Sequence, residues 1–106
     1  MILVEVNYVF GKLESLNIKG HGGLEYGKDI ICAGVSACAY GALNALNNAE
    51  NYKIELKSGL LKLQKLHDST THDEIVLETL IMQLETIRKK FPDRVKIKVS
   101  GKEGNQ

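Results

Sequence analysis

One histidine and one cysteine, eleven residues apart, stand in the part of the chain richest in glycine. The stretch reads Gly20-His21-Gly22-Gly23, then Gly27-Lys28-Asp29-Ile30-Ile31-Cys32, and continues to Ser36. Four of the ten glycines fall between positions 20 and 27. Glycine reaches positive φ and admits a second backbone at close range, so residues 20–28 are expected to form a flexible loop around a substrate. Asp29 reads as a helix N-cap, its carboxylate accepting from the orphan amides of the first turn. Cys32 then occupies the third helical position, inside the positive end of the helix dipole, where a thiolate is favoured. A free imidazole titrates near about 6.5, which suits it to shuttle a proton. If His21 folds back onto Cys32, the two make a nucleophile and its general base.

Two polar residues accompany the pair. Ser36 follows Cys32 by four and shares its helical face. Its hydroxyl can donate to the sulfur or bond back to the Cys32 carbonyl, and the sequence does not choose between them. Asp29 caps the helix in either reading; orienting His21 as well would ask one carboxylate to do two tasks. The rival readings are weaker. A free cysteine is often a small buried hydrophobe, which is the reading for Cys38 in mid-helix. A zinc site from His21, Cys32, Cys38 and His67 lacks any C-x-x-C pair, so no metal is expected. His67 and His72 belong to a polar linker and are expected to face solvent. A glycine loop before a helix also resembles a phosphate cradle. Asp29, however, puts negative charge where the phosphate belongs, and neither nucleotide-binding glycine pattern is present. No cofactor is expected.

The elements that must position these residues follow from periodicity. Residues 2–10 alternate, with Ile2, Val4, Val6, Tyr8 and Phe10 on the apolar face, and read as a strand. Gly11-Lys12 makes the turn to a second strand over 13–19, with Leu16 and Ile18 inward. The helix after Asp29 runs to Asn47 or Asn48, on a stripe of Ile31, Val35, Ala39, Ala42, Leu43 and Leu46. Asn47-Asn48 is expected to end it as a left-handed cap. Gly34 and Gly41 each cost about 1 kcal/mol in helix propensity, which close packing is expected to offset. Strands over 52–57 and 60–66 join at Ser58-Gly59. Thr71-His72-Asp73-Glu74 fits a capping box opening a second helix, whose stripe runs from Leu77 to Phe91 and which Pro92 stops. Val95, Ile97 and Val99 mark a last strand, and residues 100–106 form a polar tail expected to be mobile. The order is ββαββαβ: an α/β two-layer sandwich, with a mainly antiparallel sheet of about five strands and two helices on one face.

The 106 residues make a single domain, with no internal boundary signal. Fourteen Lys and Arg against thirteen Asp and Glu leave a net charge of +1, so neither direct nucleic-acid contact nor a membrane partner is expected. Residues 1–10 lack a basic region and carry Glu5 and Asn7, so they do not read as a signal peptide. Cys32 and Cys38 would lie on largely different faces of one helix, which disfavours a disulfide between them. A reduced, cytoplasmic protein is expected.

The stretch from Gly20 to Gly23 and from Gly27 to Ala37 resembles the signature of the ribosomal-processing cysteine protease (Prp) family, and length and element order resemble it throughout. The resemblance implies a cytoplasmic endopeptidase that removes the N-terminal extension of a large-subunit ribosomal protein, number twenty-seven, after an aromatic pair. By position, Cys32 would be the nucleophile and His21 the general base, with Asp29 and Ser36 at the other polar signature positions. Gly20, Gly22, Gly23 and Gly27 would form the substrate loop, Gly22 replacing the family's usual alanine. A homodimer is implied as well. The alternative is a non-enzymatic ribosome-associated binding module.

Overall fold

The computed structural model describes residues 1–21 and 29–101. Its elements are β1 (Ile2–Val9), β2 (Lys12–Gly20), α1 (Ile30–Ala45), a short 3-10 turn (Ala49–Asn51), β3 (Tyr52–Lys57), β4 (Leu60–Lys65), α2 (Thr71–Lys90) and β5 (Val95–Ser100). The order is the expected ββαββαβ. The strands form one sheet ordered β3-β4-β2-β1-β5. Three neighbouring pairs are antiparallel, and β5 adds parallel to β1, so the sheet is mixed.

Alternation puts Ile2, Val4, Val6 and Tyr8 of β1 on one side of the sheet, beside Leu16, Ile18, Leu61 and Leu63. Both helices bury their apolar stripes in this same core: Ile31, Val35, Ala39 and Ala42 from α1, and Leu77, Leu80, Ile81 and Leu84 from α2. Each large aliphatic side chain buried this way contributes about 1.5–3 kcal/mol. A bulge in β2 keeps Leu13 inward as well. Asn7 pairs with Ser15 but Tyr8 pairs with Leu13, leaving Glu14 as the extra residue.

Several expected boundaries are corrected. The first turn is Phe10-Gly11, both with positive φ (51° and 76°), so Phe10 leaves the apolar face and stands 91% exposed. Helix α1 ends at Ala45 with Leu46 extended as its C-cap, and Asn47-Asn48 is no left-handed cap. Instead the backbone amides of Asn47 and Asn48 donate to the two carboxylate oxygens of Asp73, at 2.8 and 2.9 Å. That buried carboxylate is thereby satisfied by two charge-assisted bonds. The α2 cap is Thr70 rather than the expected Thr71, its side chain accepting from the Asp73 amide, and the Glu74 carboxylate accepts from Lys12 instead of closing a box. His72 faces solvent as expected, though its Nε2 lies 2.9 Å from the Ala45 carbonyl oxygen. Neither helical glycine marks a forced close approach. A Cβ on Gly34 would meet Ile87 at an ordinary 3.6 Å, and one on Gly41 would meet nothing. Ser100 belongs to β5 rather than to a tail, its hydroxyl donating to Asn7 Oδ1 at 3.0 Å.

Candidate active site

Two local devices bring His21 and Cys32 together. The first is the start of α1. Asp29 Oδ1 accepts from the Cys32 amide at 2.9 Å, and the Asp29 carbonyl accepts from the Ala33 amide at 3.1 Å. This fixes Cys32 at the third position of a sixteen-residue helix, within reach of its positive end. The second device is the end of β2. Gly20 has φ +101°, and a Cβ there would collide with the Met1 carbonyl, so only glycine lets the chain turn here. The Gly20 amide donates to the Gly59 carbonyl at 3.0 Å, and the Met1 nitrogen donates to the His21 carbonyl at 2.6 Å. The turn directs the imidazole toward α1, and Cys32 Sγ lies 3.8 Å from His21 Nδ1. That separation suits transfer of a thiol proton to the ring, with sulfur's larger radius allowed for.

Cys32 is half-buried and His21 is exposed. Both line an open cleft of about 790 Å³ between the start of α1 and the β3–β4 hairpin. Asp29, Ser36 and Gly20 line it too, together with Tyr40, which is 50% exposed. Four of the expected site residues thus converge with the loop-entry glycine. Ser36 is exposed and lines the cleft. Gly22, Gly23, Gly27 and Tyr26 lie outside the described residues. Cys38 packs against the core, and both cysteines are free. Among the described residues, no three His, Cys, Asp or Glu side chains gather to hold a metal ion.

Two features of the site were not foreseen. The amides of Cys32 and Ala33 are both engaged by Asp29, which removes them as donors to an oxyanion. The far wall of the cleft is the hairpin turn at Ser58-Gly59, and Gly59 is where the imidazole rests. A Cβ on Gly59 would stand 2.9 Å from His21 Nε2 and 3.1 Å from Cε1. Ser58-Gly59 was legible as a turn. Its place beside His21 depends on β4 pairing with β2, with Lys19 opposite Leu60, which no local pattern reveals.

The fold agrees with the comparisons. The model of a family described as cysteine protease Prp matches residues 1–96. The ribosomal processing cysteine protease Prp of Staphylococcus aureus strain NCTC 8325 is 25% identical over 92 residues, covering 82% of this chain and 87% of that protein. Its Bacillus subtilis strain 168 counterpart is 27% identical, covering 78% and 82%. Among solved structures, the S. aureus essential ribosomal processing protease Prp with a covalently linked product peptide superposes with a TM-score of 0.82 at 25% identity, covering 93% of this chain and 99% of that one. A Streptococcus mutans structure gives 0.72 at 27% identity, with 94% of each chain covered. These matches define a class: the protein is a cysteine protease, and the reading as a non-enzymatic module gives way. Within that class, the chain belongs to the cysteine protease Prp family. No helix among the described residues is long and apolar enough to cross a membrane.

Proposed function

We propose that this protein is a cytoplasmic endopeptidase that removes the N-terminal extension of a large-subunit ribosomal protein, number twenty-seven, with Cys32 as nucleophile and His21 as general base. The observation that carries this reading is the 3.8 Å approach of Cys32 Sγ to His21 Nδ1 at the start of a helix lining an open cleft. Relatives named as ribosomal processing proteases, one of them solved with a covalently linked product peptide, support the substrate class.

His21 Nδ1 takes the thiol proton, and the thiolate attacks the scissile carbonyl carbon. Asp29 occupies the amides of Cys32 and Ala33, which leaves the oxyanion to the first-turn amides of Ile30 and Ile31. Collapse of the tetrahedral adduct breaks the C–N bond, and the proton on His21 passes to the departing amine. Water, deprotonated by His21, then attacks the thioester, releasing the acid and restoring the thiol. Asp29 acts by holding Cys32 in place. Ser36, one turn further along, presents its hydroxyl to the bound peptide, and Tyr40 offers a face to its aromatic residues. Gly20, Gly22, Gly23 and Gly27 are assigned to the substrate loop. The protein works as a homodimer, which sedimentation of the purified chain tests.

The deciding experiment incubates the extended ribosomal protein with wild type, Cys32→Ala and His21→Ala, and reads intact mass. A single cut by wild type alone, with His21→Ala slowed at least a hundredfold, is expected. Cleavage by Cys32→Ala would overturn the assignment of the nucleophile. Failure of the wild type to cut a bound substrate would overturn the substrate.

A further inference from the structure

A net charge of +1 conceals a segregation that only the strand register exposes. Residues opposite one another in a sheet project to the same side. Helices cover one face; the other carries three cross-strand rows. The first row contains Lys57, Lys19 and Lys96. The second places Lys62 and Lys98 beside Glu55 and Glu5. Lys53 begins the third row, otherwise uncharged. Six exposed lysines therefore face two glutamates in the rows and a third, Glu14, whose carboxylate accepts from Gln64 of the third row at 2.9 Å; the rest of the molecule carries net negative charge. Glu5 pairs with Lys19 at 3.5 Å, and Glu55 with Lys57 at 3.4 Å. Lys53, Lys62, Lys96 and Lys98 enter no ion pair among the described residues.

We propose that this open face of the sheet docks double-helical RNA through its phosphates. Charge complementarity requires a polyanion. Strands spaced about 4.8 Å apart and a two-residue repeat of about 6.8 Å make a rigid lattice roughly 19 Å across, which suits a partner whose charges are also fixed in space. The rows carry no aromatic residue on which unpaired bases would stack, which disfavours single strands. They carry no large exposed apolar anchor for a membrane either, only Leu3 and Leu60, both half-buried. Binding through lysines is insensitive to base sequence and steeply sensitive to salt. The choice of RNA over DNA rests on the ribosomal setting proposed above; the face itself does not depend on the protease reading.

The test is fluorescence anisotropy with a labelled 20-base-pair RNA duplex in about 50 mM salt, followed by a salt titration. Wild type is expected to bind. Lys96→Glu/Lys98→Glu is expected to bind at least tenfold more weakly, with the salt slope reduced by about two. Lys53→Glu/Lys62→Glu, on the opposite flank, repeats the loss. Lys89→Glu/Lys90→Glu on α2 changes net charge by the same amount and is expected to keep affinity within threefold. Each variant is checked by circular dichroism and by cleavage of a short substrate peptide, which the strand variants should perform at the wild-type rate. Absence of wild-type binding, or equal loss in the α2 variant, would overturn the docking face. Single-stranded RNA, duplex DNA or polyglutamate binding as tightly as the RNA duplex would overturn the choice of partner.

Discussion

The two hairpins of this protein are built alike and used differently. Each joins antiparallel strands through two residues, and in each the second is a glycine with left-handed φ: Gly11 at +76° and Gly59 at +73°. Backbone conformation alone explains both glycines. Their surroundings separate them. A Cβ on Gly11 would enter open space, whereas one on Gly59 would press into the imidazole of His21. One turn merely reverses the chain. The other reverses it and also leaves room for a side chain from elsewhere, so the same left-handed glycine carries two kinds of constraint.

The largest expected effect is on catalysis. Asparagine tolerates the left-handed region, so Gly59→Asn preserves the turn while its Cβ displaces the ring. The obstacle is the mobile end of a side chain, so stability should change little. Moving a base by about 1 Å, however, costs up to about a hundredfold in rate. Turnover should fall at least tenfold with KM nearly unchanged, and iodoacetamide alkylation of Cys32 should slow in parallel. A wild-type alkylation profile across pH would break the comparison. Next comes strain in the other turn. Phe10 holds φ 51°, a conformation that costs a bulky L-residue about 1–2 kcal/mol. Phe10→Asn creates Asn-Gly, the preferred pair for such a turn, and should raise stability by about 1 kcal/mol, or several degrees in Tm. Unchanged Tm would mean that Phe10 gains from its position something that its 91% exposure does not show. The smallest effect belongs to Gly11→Asn, the matched control. Denaturant unfolding should shift by a few tenths of a kcal/mol, and turnover should not move.

The same contrast explains what the sequence disclosed. Local chemistry was legible: the alternation of Ile2, Val4, Val6 and Tyr8, the stripe from Leu77 to Leu84, and the carboxylate of Asp29 three residues before the Cys32 amide it caps. Each is a relation within one element. Relations between elements were not. Asn47 and Asn48 carry side chains suited to a cap, yet their backbone amides serve a carboxylate more than twenty residues away. Phe10 continues the apolar alternation but is overridden by the turn that β2 needs. Whole-chain charge likewise averages away a basic sheet face that exists only through strand register.

The contact between Gly59 and His21 also bears on when the enzyme becomes one. A nascent chain that has completed its first hairpin and α1 already owns both His21 and Cys32. It has nothing behind the imidazole, because that wall forms only after β4 zips onto β2 and the Gly20 amide finds the Gly59 carbonyl. On the proposed roles, cutting power therefore waits on a long-range pairing that has a high entropic barrier to closure. On those same roles, a partly made copy carries Cys32 and His21 without the wall that positions the imidazole, and peptide hydrolysis would report that the sheet is complete.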